Sequence, residues 1–361
     1  MLYRPDWHEP LTERAWNEAW VRDAVAALVD DAVGTWDDHE LWPAHESDAD
    51  GAGTPLTDLY CGAAGVVWAL DRLGADFDAE AAAARTHERV RPLPAELSGV
   101  ALPPQGRSSL LAGETGPALV RYLLAPSDEL RGLLRELIDA NLGNEANELM
   151  WGVPGTLLVA RALCDGVEAS DAALRAARDD DGWWTQHLYG TEFRSLGPVH
   201  GLLGNVLALA EVESAVPFLR SLALREGVHV NWAIGPDDDK LRLQWCHGAP
   251  GILIHAAHVL DEELLLGGAQ LTWDAGPLER NEKNAGICHG TAGNGYALLR
   301  TFEVTQDELW LERARAFATH ALEQARALPP RYSLFTGGVG AALFARDCLR
   351  ASARFPVVEW L

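Results

Sequence analysis

The chain has 361 residues, of which 48% are hydrophobic and 23% are charged, so its composition is typical of a globular protein and excludes a disordered chain. Acidic residues outnumber lysine and arginine by 53 to 29, and the resulting net charge of −24 argues against nucleic acid as a partner. Five cysteines are too few for a disulfide framework, and no apolar segment is long enough for a signal peptide or a membrane span, so we expect a cytoplasmic protein.

The first predicted element is an amphipathic helix over Glu13–Val33, and an internal repeat follows it. A Gly-x-x-Gly pair that precedes an apolar run occurs seven times, with a mean spacing of about 46 residues. Chance pairs of glycines would not keep such a regular spacing. The pairs begin at Gly62, Gly113, Gly152, Gly201, Gly248, Gly290 and Gly337.

Each repeat contains two predicted helices of different character. The apolar runs, such as Val66–Leu73, Thr156–Leu163 and Ile252–Leu260, predict helices that are buried on most sides. The segments between these runs place leucines three and four residues apart with charges on the other face, as in Asp128–Ala140 and Asp307–Leu322. Each repeat is therefore predicted to be a hairpin of one inner and one outer helix.

Seven such hairpins predict an all-α protein, a double-layered α/α toroid formed by residues 1–361 as a single domain. An open solenoid of the HEAT type has a similar repeat length and is the alternative. Closure of the ring is favoured because the first and last repeats lack polar capping faces. The glycines are expected to permit a sharp turn and a close approach of the inner helix to its neighbours.

Residues with reactive side chains cluster at two positions of the repeat. In a closed ring, equivalent positions lie around one rim, so these side chains are expected to converge on a single opening. The position before the first glycine holds three histidines, and the position before that holds two cysteines. These five residues are His200, His247, His289, Cys246 and Cys288.

Cys246, Cys288 and His289 are the strongest candidates for a metal site. Two thiolates and an imidazole are suitable zinc ligands, and three protein ligands leave the fourth tetrahedral position open, as in catalytic zinc sites. The alternative is that the cysteines are buried and act as small hydrophobic residues. That alternative is preferred for Cys164 and Cys348, whereas Cys61, which precedes a glycine but has no partner, is left undecided.

The segments around these residues resemble motifs of the lanthionine synthetase C family. Leu241–Leu253 (LRLQWCHGAPGIL) and Gly286–Leu298 (GICHGTAGNGYAL) are similar to its two zinc motifs, and Pro198–Gly204 (PVHGLLG) is similar to the signature that carries its catalytic histidine. The family fold, an α/α toroid of seven hairpins, agrees with the repeat count. Four further segments resemble the LanC-like branch, best known from eukaryotes, more than the bacterial lantibiotic cyclases: Arg107–Pro117, Asn147–Gly155, Tyr332–Gly340 and Ala353–Pro356.

The resemblance implies roles for individual residues. It makes Cys246, Cys288 and His289 the ligands of a zinc ion, and His200 the acid/base residue. His247 stands where LanC-like proteins have histidine, and either a direct role or a hydrogen bond that supports the zinc site is consistent with it.

Three further residues match positions that distinguish the branches of the family. Glu148 stands where cyclases have aspartate and LanC-like proteins have glutamate, so it is expected to orient His200 or to hold a substrate amide, with a solvated carboxylate as the alternative. Arg4 and Lys283 match basic residues that the LanC-like branch uses around its thiol substrate, although an exposed lysine without a partner is equally compatible with the sequence.

The resemblance also implies a reaction, the zinc-dependent addition of a thiol to a dehydroalanine or dehydrobutyrine residue of a protein or peptide. The LanC-like signatures favour glutathione, or another small thiol, as the donor. The alternatives are a lantibiotic-type peptide cyclase, whose thiol belongs to the peptide itself, and a catalytically silent zinc- or glutathione-binding scaffold. A zinc-dependent prenyltransferase is disfavoured because its ligand set normally includes an aspartate.

Overall fold

The computed structural model describes residues 1–49, 55–93, 95–97, 100–279 and 285–360. Within these residues the protein is built mainly from helices. No described helix combines the length and the apolar character that crossing a membrane requires. The α-helices are α1 (Glu18–Thr35), α2 (Glu46–Ala49), α3 (Ala63–Leu73), α4 (Ala79–Glu88), α5 (Thr115–Leu124), α6 (Asp128–Asn141), α7 (Val153–Leu163), α8 (Val167–Ala176), α9 (Leu202–Ala208), α10 (Val216–Leu222), α11 (Ala249–Ala256), α12 (Glu262–Ala275), α13 (Thr291–Thr305), α14 (Glu308–Ala327) and α15 (Gly338–Arg350).

Short 3₁₀ helices and two-stranded antiparallel hairpins occupy several of the connections. The all-α prediction did not include these hairpins, three of which lie in the connections that lead to the loops before α9 and α11. The 3₁₀ helices span Pro5–Trp7, Gly106–Ser108 and Val212–Ala215. The strands pair as β1 (Glu96–Leu97) with β2 (Val100–Ala101), β3 (Gln186–Leu188) with β4 (Thr191–Phe193), β5 (Leu224–Glu226) with β6 (His229–Asn231), and β7 (Ala233–Gly235) with β8 (Asp238–Leu241).

The helices form two concentric layers. The inner layer consists of α3, α5, α7, α9, α11, α13 and α15, each of which begins within two residues of the first glycine of a repeat. The outer helices pack against them, for example α4 on α3, α12 on α11 and α1 on α15. Helix α15 also packs against α3, which closes the ring and excludes the open solenoid. The predicted toroid of seven hairpins is confirmed.

The two layers begin their helices in different ways. Most outer helices have side-chain N-caps: the side chain of Ser127 accepts from the backbone N–H of Leu130 at the start of α6, and Asp261 caps α12 in the same way, although α8 and α10 have none. Inner helices begin at glycines without a side-chain cap. At α3, α9 and α15 a carbonyl seven residues earlier accepts the first N–H instead, as Leu56 does for Ala63 at 3.0 Å, whereas at α11 the side chain of Asn231 accepts it.

Several predicted helix boundaries needed correction, among them those of α1 and α11. Helix α1 begins at Glu18 and not at Glu13. The side chain of Asn17 caps the helix by accepting a hydrogen bond from the N–H of Trp20. Helix α11 spans Ala249–Ala256 and not Ile252–Leu260. Its first turn includes the second glycine of the repeat, which the apolar pattern alone assigned to the preceding turn.

The second glycine of every repeat meets the same obstacle. A Cβ added there would lie less than 3.0 Å from the backbone carbonyl oxygen six residues earlier, as at Gly65 against Leu59 and at Gly293 against Ile287. These loops therefore fold back onto the first turn of the inner helix so tightly that only glycine fits. The expected structural role of these glycines agrees with this geometry.

Backbone hydrogen bonds join neighbouring loops into a belt around the rim. These loops, which precede the inner helices, are called the rim loops. The bonds run from the N–H of one rim loop to a carbonyl of the next: Tyr60 to Leu111 (2.9 Å), Leu149 to Val199 (2.9 Å), Trp245 to Cys288 (3.1 Å), Cys288 to Phe335 (2.8 Å) and Phe335 to Tyr60 (3.2 Å).

The other side of the rim loops is closed by aromatic packing. Trp245 stacks on Phe335 with ring centroids 5.2 Å apart, and Phe335 stacks on Tyr60 at 5.3 Å. From the C-terminal segment, the fully buried Phe355 packs against Trp245 at 4.8 Å. Aromatic side chains of three rim loops and of the C-terminal segment therefore pack into one cluster.

Gly65→Ala is expected to destabilise the protein by about 1–3 kcal/mol, because the added methyl group would overlap the carbonyl of Leu59 and the side chain of Leu334. The control is Gly132→Ala on the exposed surface of α6, where nothing lies within 4 Å of the new carbon and a gain of about 0.5–1 kcal/mol is expected. Urea unfolding measures both. Equal stability of Gly65→Ala and the parent chain would contradict the close-approach argument.

Candidate metal and catalytic site

Two adjacent rim loops supply the predicted metal ligands. The loop before α11 contributes Cys246, and the loop before α13 contributes Cys288 and His289. The ligand atoms of these three residues all lie within 4.8 Å of one another, although the two cysteines are distant in the sequence. Both cysteines are buried, whereas the histidine is partly exposed. The structure thus brings together the three residues that the repeat register predicted to be neighbours.

The two thiols differ in their electrostatic surroundings. Burial tends to raise the pKa of Cys246, but a hydrogen bond from Cys288 and the charges of His289 and His247 lower it well below the ordinary value. Burial and the neighbouring Cys246 thiolate raise the pKa of Cys288 well above its ordinary value. A pair of buried sulfurs that shares one proton next to an imidazole fits a soft divalent metal, because metal binding replaces that proton.

Two polar side chains that the sequence analysis did not predict donate hydrogen bonds to these sulfurs. The amide Nε2 of Gln244 lies 2.9 Å from the sulfur of Cys246. A hydrogen bond from the hydroxyl of Tyr60 lowers the pKa of Cys288, against the larger effect of burial. Both residues lie in rim loops, and Tyr60 occupies the same repeat position as the cysteines, but only the tertiary structure shows that they reach the sulfurs.

His200 and Glu148 form a hydrogen-bonded pair beside the cysteines. Nδ1 of His200 lies 2.8 Å from Oε2 of the fully buried Glu148, whose other oxygen accepts the backbone N–H of Trp151 at 2.5 Å. Burial tends to lower the pKa of His200, but this hydrogen bond and the negative charges of Glu148 and Cys246 raise it. This contact agrees with the predicted role of Glu148 in orienting His200, and the full burial of Glu148 does not agree with the alternative of a solvated carboxylate. The other predicted role, holding a substrate amide, stays a prediction.

His247 lies next to both His200 and Cys246. Its ring stacks on that of His200 with centroids 5.5 Å apart and an interplanar angle of 25°. Its ligand atom lies within 4.8 Å of those of His200 and Cys246, so these three residues are a second set that could hold a metal ion. Burial lowers the pKa of His247 to about 4, and its buried Nδ1 has no hydrogen-bond partner within the described part of the chain.

The N-terminal segment crosses the rim next to this site. The side chain of Asn231 holds it there by donating to the carbonyl of Leu2 at 2.7 Å and accepting from the N–H of Ala249 at 2.8 Å. Arg4 forms an ion pair with Asp6 at 2.9 Å and is exposed. Lys283, the other basic residue predicted for the thiol site, lies outside the described residues.

The remaining cysteines have different environments. Cys348 is fully buried, as predicted for a small hydrophobic residue. Cys164 is exposed, because it ends α7 in a left-handed conformation with φ of 51°, so the prediction of burial was wrong there. Cys61 is partly buried, and burial together with the charges of Asp58 and Asp48 raises the pKa of its thiol well above the ordinary value.

A family model agrees with this fold and site. The model described as lanthionine synthetase C-like protein matches residues 56–359, which cover the inner helices, the rim loops and the C-terminal segment. The chain therefore belongs to the lanthionine synthetase C-like family, and the family resemblance predicted from the motifs is confirmed.

The chain is similar both to LanC-like proteins and to a peptide cyclase. Glutathione S-transferase LANCL1 of Danio rerio is 28% identical over 309 residues, which cover 70% of this chain and 74% of that protein. LanC-like protein GCL1 of Arabidopsis thaliana is 27% identical over 198 residues, or 47% of this chain and 44% of that protein. The solved structure of nisin cyclase matches 92% of this chain and 94% of its own with a TM-score of 0.56 and 13% identity, which establishes a shared fold.

Proposed function

We propose that this protein is a zinc-dependent enzyme that forms carbon–sulfur bonds by adding glutathione to dehydroalanine or dehydrobutyrine residues of proteins or peptides. The observation that carries the proposal is the position of the His200–Glu148 pair beside the cluster of Cys246, Cys288 and His289. One group of residues can hold a metal that activates a thiol, and the other can donate a proton.

The choice of zinc rests on the donor set. Two buried cysteine sulfurs and one histidine nitrogen, with ligand atoms within 4.8 Å of one another, suit zinc better than the oxygen-preferring metals. Zinc held by these three residues would have room for a substrate thiol and would lower the pKa of that thiol. Gln244 and Tyr60, which donate to the two sulfurs, would hold the ligands in place and spread their negative charge.

His200 would complete the addition as a general acid. When the substrate sulfur bonds to the β-carbon, the electron pair of the alkene moves to the α-carbon and the adjoining carbonyl, which requires a proton at the α-carbon. His200 would donate this proton. The thiol loses one proton on activation and the α-carbon gains one, so the overall reaction neither consumes nor releases a proton. Glu148 holds the imidazole by Nδ1, so Nε2 is the nitrogen that remains for the substrate.

Glutathione is preferred as the thiol because of features near the rim and because of a relative. Arg4 lies on the N-terminal segment that crosses the rim, and the printed name of the Danio rerio relative states a glutathione S-transferase activity. Glutathione carries a net negative charge, and a chain with a net charge of −24 would repel it unless local cations were present. The five cysteines form no disulfide, which suits the reducing cytoplasm where glutathione is abundant.

The thiol donor is tested with a synthetic peptide that contains one dehydroalanine, offered with glutathione, cysteine or 2-mercaptoethanol. We expect the purified protein to form the glutathione adduct faster than the uncatalysed reaction, as measured by mass spectrometry. A second peptide that carries both a dehydroalanine and a cysteine tests the cyclase alternative. Ring closure of this peptide without any adduct at millimolar glutathione would replace the proposal by a lanthionine cyclase, and no reaction with either peptide would favour a silent scaffold.

Replacement of His200 by alanine is expected to lower the rate of adduct formation by about 10²–10⁴-fold, because a positioned general acid contributes that much. Zinc content should be unchanged, since the three ligands remain. His187→Ala is the matched control, because it removes a half-exposed imidazole from the hairpin that precedes the same rim loop. A His200→Ala variant that turned over at the parent rate would remove His200 from the mechanism.

A further inference from the structure

An arginine that the sequence analysis did not single out lies at the edge of the candidate site. The guanidinium carbon of Arg242 is 4.2 Å from the ring centroid of Trp7, and that of Arg4 is 4.9 Å from the same ring. Arg242 belongs to the connection between β8 and the rim loop of Cys246, whereas Trp7 and Arg4 belong to the N-terminal segment. Two positive charges from distant parts of the sequence are therefore held over one aromatic ring.

The position of Arg242 is set by backbone contacts on both sides. Its carbonyl accepts a hydrogen bond from Nδ2 of Asn231 at 3.2 Å, and the same amide group binds the carbonyl of Leu2. A Cβ at Gly248 would overlap that carbonyl of Arg242, so the rim loop packs directly onto it. Asn231 thus fixes the arginine-bearing strand end and the N-terminal segment to each other.

The charge on Arg242 is only incompletely compensated by the protein. Among the described residues, no carboxylate lies within the 4.0 Å of a salt bridge to its guanidinium, whereas Arg4 is paired with Asp6. Burial and the positive charge of Arg4 lower the pKa of Arg242, and the negative charges of Cys246 and Asp238 raise it. Two like charges held close to each other are stabilised by an anion that binds both.

Arg242 lies close to the metal cluster in the fold, because its carbonyl packs against Gly248, two residues beyond Cys246. Only three residues separate Arg242 from Cys246, and the sulfur of Cys246 is near enough to influence the charge of the guanidinium. An extended peptide advances about 3.3–3.6 Å per residue, so a carboxylate one residue from a thiol can reach a cation beside the cluster while the thiol enters the cluster.

We propose that Arg242, together with Arg4 of the N-terminal segment, binds the carboxylate of an anionic thiol substrate and selects it over uncharged thiols. The inference rests on the proposed function and adds the residue that gives this chain its preference for a charged donor. Trp7 keeps the arginine side chains extended over its ring, so less side-chain freedom is lost when the anion binds.

The test measures binding without the reacting sulfur. S-methylglutathione keeps the carboxylates but cannot enter the metal cluster as a thiolate, and isothermal calorimetry gives its dissociation constant for the purified, zinc-containing protein. Arg242→Gln is expected to raise that constant by about 10- to 100-fold, because a charge-assisted hydrogen bond is lost, whereas Arg242→Lys should restore part of the affinity. In the peptide assay, KM for glutathione should rise while KM for 2-mercaptoethanol stays nearly unchanged.

The matched control is Arg313→Gln, which removes a guanidinium from above Trp273 and Trp310 in the outer helix layer. It should alter neither constant. Three outcomes separate the hypotheses. Unchanged binding of S-methylglutathione by Arg242→Gln, with zinc content intact, would overturn the role of Arg242. A rise in KM for the acceptor peptide alone would assign the arginine to that substrate and overturn the inference too. Failure of the parent protein to add any thiol would instead refute the proposed function.

Discussion

The close approach of seven loop carbonyls to seven glycines is the constraint on which the rest of this structure depends. At each second glycine of a repeat, the carbonyl six residues earlier occupies the space that a side chain would need. This contact folds each rim loop back onto the first turn of its inner helix, and at α3, α9 and α15 a loop carbonyl also accepts the first helical N–H. Every repeat therefore presents the residues before its first glycine at the same height on the rim.

The belt of backbone hydrogen bonds holds neighbouring rim loops together, and this brings their reactive side chains into one site. The bond from the N–H of Trp245 to the carbonyl of Cys288 joins the two cysteine-bearing loops, and the stack of Trp245, Phe335 and Tyr60 supports them from below. The sulfurs are buried while the neighbouring histidines remain partly exposed. A substrate that approaches from the rim would therefore meet the imidazoles first and the sulfurs behind them.

The features of the site that could be predicted from the sequence are those that depend on a residue's position in the repeat. The glycine register placed Cys246 and Cys288 at one position, so their proximity followed from closure of the ring. The contacts of Gln244 and Arg242 could not be predicted in this way, because they depend on where one side chain or the N-terminal segment packs in three dimensions. The hairpins before the rim loops of α9 and α11 were missed because their strands are only three or four residues long and lack an alternating apolar pattern.

X-ray absorption at the zinc edge tests the central claim, that these loops hold a zinc ion with a position open to a thiol. We expect the purified protein to show two sulfur neighbours at about 2.3 Å and one imidazole nitrogen at about 2.0–2.1 Å. Saturating glutathione should raise the number of sulfur neighbours to three, and the Cys246→Ala/Cys288→Ala double variant should bind little zinc. Two sulfur neighbours with or without glutathione, or full zinc occupancy in the double variant, would contradict the account.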